Sequence, residues 1–187
     1  MNTADDTAVQ EAVRVLRAGG LIAYPTEAVF GLGCDPRNET AITRLLALKG
    51  RPQEKGLILI AAEEAQLEPW VETLPADTAA RVHATWPGPV TWLIPARPGV
   101  SPLLRGAHAS LAVRVTAHPM AAALARAFGG ALVSTSANPS GESPARDIES
   151  LRARFGGAID YYLAGPLGDR ERPSEIRDAL SGEILRS

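Results

Sequence analysis

Cysteine is nearly absent: one residue, Cys34, in 187. A lone cysteine excludes an internal disulfide and any cysteine cluster of the zinc-finger or iron–sulfur kind, and it fits a reducing compartment. Lysine is almost as scarce, with Lys49 and Lys55 set against 17 arginines. In a chain that otherwise uses arginine, a compact ammonium near the end of one predicted helix stands out. No window offers an apolar run long enough to cross a bilayer, and Met1-Asn2-Thr3-Ala4-Asp5-Asp6 lacks the basic start of a secretory signal. These absences together suggest a soluble, cytoplasmic protein with no membrane partner. At this length one core can bury most of its apolar surface, so a single domain over residues 1–187 is expected.

Acidic residues vanish between residues 78 and 141, although the net charge is only −2. That stretch holds Arg81, Arg97, Arg105, Arg114 and Arg126 and all three histidines. Folded onto one face, they would attract phosphate or carboxylate groups; scattered, they would only solvate the surface. The near-neutral balance argues against a general nucleic-acid-binding protein.

Hydrophobic spacing predicts alternating elements. Helices are expected over about 5–18, 40–49, 62–71, 77–85, 119–128 and 147–155, and strands over 21–24, 57–61, 90–94, 111–115, 131–134 and 159–163. A closing strand pair is expected around Ile176 and Ile184. This pattern indicates an α/β fold: one twisted sheet, mixed parallel and antiparallel because of the hairpin-like end, with flanking helices.

Three segments could carry chemistry. Tyr24 to Asp35 follows a buried strand and contains Gly31 and Gly33, in spacing that is neither GxGxxG nor a Walker loop; a plain strand-to-loop turn fits it as well. Lys49-Gly50-Arg51-Pro52 closes a helix, where a basic residue, glycine and proline are ordinary stop signals, but a point charge followed by a planar fork also suits a polyphosphate. Ser134, Thr135, Ser136, Asn138 and Ser140 form a dense set of hydrogen-bonding side chains directly after an apolar strand. Arg114 interrupts an apolar strand and therefore needs a buried or site partner. Trp86-Pro87-Gly88-Pro89 reads as a rigid turn, Cys34 as a small buried hydrophobe, and the histidines fall at no metal-like spacing.

The segments YPTEAVFGLGCD, ALKGRP, WPGPVT, LAVRV, LVSTSANPSG and PSEIRDALSGEIL, in this order between residues 23 and 185, resemble the YrdC-like family, specifically its short bacterial threonylcarbamoyl-AMP synthase branch. The resemblance implies a nucleotidyltransferase that joins L-threonine, bicarbonate or CO2, and ATP into threonylcarbamoyl-adenylate with release of pyrophosphate. It implies Mg²⁺ accompanying ATP, no metal ligated by the protein, and separate transfer proteins that deliver the group to adenosine 37 of tRNA. By the family's KxR and SxN motifs, Lys49, Arg51, Ser136 and Asn138 would be the catalytic and nucleotide-binding residues. Thr26, Arg114, Ser134 and Ser174 would sit on the threonine side, with Arg114 a candidate for its carboxylate. Two stretches depart from the commonest family pattern, Lys55-Gly56 in place of Lys-Pro and Gly165 to Asp169 before Pro173. They bear on local loop shape and on the role of Lys55. Two competing readings are a non-catalytic RNA-binding or ribosome-assembly factor using the basic face, and a carbamoyl-adenylate enzyme of hydrogenase maturation. Weak RNA binding is compatible with the first.

Overall fold

The computed structural model describes residues 3 to 186. The first helix, α1 (Thr3–Arg17), carries Asp5 and Asp6 at its positive end and buries Val9, Ala12, Val13 and Leu16. The chain then enters β1 (Ile22–Pro25), in which every residue is buried. Alternation along this strand sends Ile22 and Tyr24 into one core and Leu21 and Ala23 into another. A sheet with apolar residues on both faces must be covered on both, and helices do this.

Among the described residues, the remaining strands are β2 (Phe30–Gly33), β3 (Ile58–Ala61), β4 (Val90–Pro95), β5 (Ser110–Val115), β6 (Leu132–Ser136), β7 (Tyr161–Tyr162), β8 (Glu175–Asp178) and β9 (Ile184–Arg186). They form one sheet in the order β7-β1-β2-β6-β3-β5-β4-β8-β9. Three neighbouring pairs are parallel, β1 with β7, β3 with β5 and β4 with β8, and the others antiparallel. The mixed α/β sheet expected from the sequence is what forms, including the closing β8–β9 hairpin. The helices are α2 (Glu39–Lys49), α3 (Ala76–His83), the single turn α4 (Pro102–Arg105), α5 (Pro119–Phe128) and α6 (Ile148–Phe155).

Helices α1 and α5 pack together over Ile22, Tyr24, Ile60 and Leu132 on one face. On the other, α2 contributes Ile42, Leu45 and Leu46 to the core containing Leu59, Val113 and Val133. No helix among the described residues is long and apolar enough to cross a membrane.

Several expectations need correction. Residues 62–71 do not form a helix: a 3-10 turn at Glu64–Gln66 gives way to turns and an isolated bridge from Val71 to Ala96. Pro69 lies inside the supposed helix and cannot supply the backbone N–H it would need, while the Gln66 side chain accepts from the Ala62 N–H instead. Segment 30–33, read as part of a loop, is strand β2. Thr135 and Ser136, read as loop, extend β6 beyond the predicted strand end at Ser134. Of 159–163, only Tyr161 and Tyr162 pair. Three of the five arginines of the acid-free stretch have protein partners of their own. Arg126 pairs with Glu63, Arg97 donates to the Val71 carbonyl, and Arg105 donates to the His108 carbonyl.

Candidate active site

The site lies across four adjacent strands, β2, β6, β3 and β5, on the face that α1 and α5 cover only in part. Register makes the same rows apolar at one end and polar at the other. Ile60 and Leu132 face the helices, whereas Arg114, opposite Ile60, and Ser134, opposite Ile58, line an open cleft. This cleft encloses about 860 Å³, part of it open to solvent. Its walls come from the β1–β2 turn (Thr26 to Phe30), Arg51 after α2, Ser134 to Ser136 of β6, Arg170 with Arg172 to Ser174, and Arg186 of β9.

Lys49 reaches the site from the opposite core. It continues the buried stripe Ile42, Leu45 and Leu46 of α2 and is itself only 3% exposed. Its ammonium donates to the carbonyls of Ser136, at 2.5 Å, and Asn138, at 2.6 Å, and the Ser140 N–H returns a bond to the Lys49 carbonyl at 2.7 Å. Burial, and secondarily the neighbouring Arg51 charge, pull its pKa down to about 8. The helix then stops at Gly50 in the left-handed conformation, which turns Arg51 outward into the cleft. Arg51 Nε donates to the Gly56 carbonyl at 2.9 Å. Gly56 has φ +60°, and a Cβ there would stand 3.0 Å from the backbone of Leu104 and Arg105. Proline cannot adopt that φ, so the Lys55-Gly56 departure is a change of loop shape.

The cleft carries five arginines, Arg51, Arg114, Arg170, Arg172 and Arg186, and one carboxylate, Glu27. Arg114 is 6% exposed, and its Nη1 lies 2.5 Å from Glu27 Oε1. The Thr116 hydroxyl donates to the same oxygen at 2.6 Å. Burial pushes the Glu27 carboxyl upward, but the Arg114 charge and hydrogen bond, with the Thr116 hydroxyl and its own backbone, outweigh this and hold it at about 2. The glutamate is therefore fully ionised and already paired. Arg51 and Arg186 are both pulled below the ordinary arginine range, by burial first and then by Arg186 and Arg114 respectively. Crowded guanidinium groups with their one carboxylate already engaged are complementary to an anion. Ser174 Oγ shares a hydrogen bond with Thr91 Oγ1 at 2.9 Å, and Arg186 Nη2 donates to the Ser174 carbonyl at 2.6 Å.

Six of the eight sequence-predicted site residues, Thr26, Arg51, Arg114, Ser134, Ser136 and Ser174, line this one cleft. Lys49 and Asn138 stand behind it. The Asn138 amide donates to the Pro139 and Glu142 carbonyls, leaving a buried Oδ1 without a partner. Sequence reasoning missed Glu27, Arg170, Arg172 and Arg186. Only Glu27 left a trace, as the unnamed partner Arg114 required. Beyond Arg51 and Arg186 the cleft continues into a second recess of about 720 Å³, with Lys55, Arg105 and His108 around Leu57, Leu104 and Ile176.

Fold and cleft together define an α/β protein whose open cleft presents guanidinium groups and hydroxyls, a lining complementary to an anion. The Sua5/YciO/YrdC family model, described as "Telomere recombination", matches residues 14–187, and the chain belongs to this family. It is 58% identical over 178 residues to the threonylcarbamoyl-AMP synthase of Halorhodospira halophila, covering 95% of this chain and 93% of that one. It is 53% identical over 178 residues to the synthase of that name from Coxiella burnetii, covering 95% and 96%. Among solved structures, it matches P. abyssi Sua5 complexed with L-threonine at TM-score 0.85 and 30% identity, covering 91% of this chain but 50% of that one. It matches E. coli YciO at TM-score 0.83 and 25% identity, covering 97% and 89%. The chain thus spans about half the length of the Sua5 chain and nearly all of the curated relatives. With such relatives, it is an enzyme of the nucleotidyltransferase type.

Proposed function

We propose that the chain makes L-threonylcarbamoyladenylate and pyrophosphate from L-threonine, bicarbonate or CO2, and ATP, and that the product serves N6-threonylcarbamoylation of adenosine 37 in tRNA through separate transfer proteins. The observation that carries this is the Lys49 ammonium joined to the Ser136 and Asn138 carbonyls. That staple brings the Lys-Gly-Arg turn and the end of β6 into one wall, beside the Arg114 and Ser174 residues of the same cleft.

On this reading the carboxylated threonine nitrogen supplies the nucleophile. A carbamate oxygen bonds to the α-phosphorus, the bond to the β-phosphate oxygen breaks, and pyrophosphate leaves with the electron pair. The protein need not form a covalent intermediate; its work is alignment and charge neutralisation. Arg51, Arg170, Arg172 and Arg186 would meet the phosphates, with Ser136 as a hydroxyl donor and the third Lys49 proton available to the same group. Arg114 would take the threonine carboxylate, beside Thr26, Ser134 and Ser174. The apolar floor of the second recess suits a base ring.

Mg²⁺ would have to arrive on the nucleotide. The cleft's one carboxylate is engaged by Arg114 and Thr116, and among the described residues no three of His, Cys, Asp and Glu group as metal ligands. The residues that line the cleft do not build a cage for the ion.

Pyrophosphate release from ATP is expected only when threonine and bicarbonate are both supplied. Equal release without threonine would reject the proposed substrate.

A further inference from the structure

Glu27, the one carboxylate of the cleft lining, is held from several sides. Its Oε1 receives both Arg114 Nη1 and the Thr116 hydroxyl. The Thr116 hydroxyl oxygen in turn accepts the His118 backbone N–H at 3.2 Å. The glutamate backbone is equally fixed. Its carbonyl accepts the Arg170 N–H at 3.1 Å, and the preceding Thr26 carbonyl accepts the Gly168 N–H at 3.0 Å. Glu27 is therefore pinned from β5, from the segment leading into α5, and from the segment that carries Arg170 and Arg172 across the cleft.

The form of its pairing with Arg114 matters. A carboxylate and a guanidinium bind each other most strongly as a two-pronged fork. Here one nitrogen meets one oxygen, while Glu27 Oε2 and Arg114 Nε are both buried without hydrogen-bond partners. The pair is not saturated. It anchors one edge of the guanidinium and leaves donor capacity for a second anion. A free arginine side chain samples many rotamers, so one fixed edge decides where the remaining donors point.

We infer that Glu27 is a positioning residue for the amino-acid substrate: it acts through Arg114, fixing the guanidinium so that its free donors receive the substrate carboxylate. This rests on the assignment of Arg114 to threonine under the proposed function. A role confined to holding the fold together would affect both substrates alike. A role in orienting Arg114 burdens threonine alone, because the nucleotide is met by cations on the other walls.

The test is steady-state kinetics of pyrophosphate release for wild type, Glu27→Gln and Thr116→Val, with each substrate varied at saturation of the other. For Glu27→Gln, KM for threonine is expected to rise about tenfold or more, the worth of one charge-assisted contact, with KM for ATP within about twofold of wild type. Thr116→Val removes the second hold on the carboxylate, and with it the acceptor of the His118 N–H, and is expected to show the same threonine-selective shift, smaller in size. It also serves as the reading variant should Glu27→Gln fail to fold. A threonine KM unchanged or lowered in the folded variants, or parallel rises for both substrates, would overturn the inference. Wild-type turnover that ignores threonine would instead overturn the proposed function, so the two failures are distinguishable.

Discussion

Lys49 holds the end of β6 against α2, and under the proposed function its charge also serves the nucleotide. Its helical spacing places it on the buried stripe of α2, where an uncompensated ammonium would be costly, and two carbonyls of the β6 end offset that cost. The pKa of about 8, against an ordinary lysine value of 10.5, gives a definite pH expectation. The free enzyme loses this charge as pH rises through about 8, so kcat/KM for ATP is expected to fall on that alkaline limb. Lys49→Arg should move the limb beyond reach. Lys49→Ala and Arg51→Ala should each cost about 2 to 4 kcal/mol of transition-state stabilisation, comparable to one lost oxyanion donor. Initial rates across pH check all three, and near-normal turnover in either alanine variant would remove that residue from the site.

Long periodic elements were legible in the sequence; short ones set by their neighbours were not. Helices α1, α2, α5 and α6 announce themselves by apolar spacing and stop signals, and the apolar strands β3, β4 and β5 by composition. Strand β2 does not, because two of its four residues are glycine. Its reason for existing is tertiary: it fills the gap between β1 and β6, and a Cβ on Gly33 would stand 2.5 Å from the Val133 carbonyl oxygen and 2.9 Å from the Tyr24 ring. Gly33→Ala is therefore expected to destabilise the fold by about 1 to 3 kcal/mol, the usual penalty of overpacking, as read by chemical denaturation. The same logic separates the site residues. Arg51 and Ser136 stand in local sequence patterns, whereas Arg170, Arg172 and Arg186 have no pattern of their own. They reach the cleft through the segment that precedes β8 and through the β8–β9 hairpin, whose placement only the completed sheet determines.

For the whole molecule, the net charge of −2 conceals a local imbalance of five arginines to one glutamate in the cleft. Local charge, not the total, decides which ligand is drawn in. Helices cover one half of a sheet face and leave the other half open, so strand rows that begin as core end as binding surface. The most direct measurement is mass spectrometry of the reaction mixture with ¹³C-bicarbonate, L-threonine and ATP. A threonine-containing adenylate carrying the ¹³C label, formed together with pyrophosphate, is the expected product. Cleavage of ATP to ADP and phosphate, or an adenylate without the label, would contradict it.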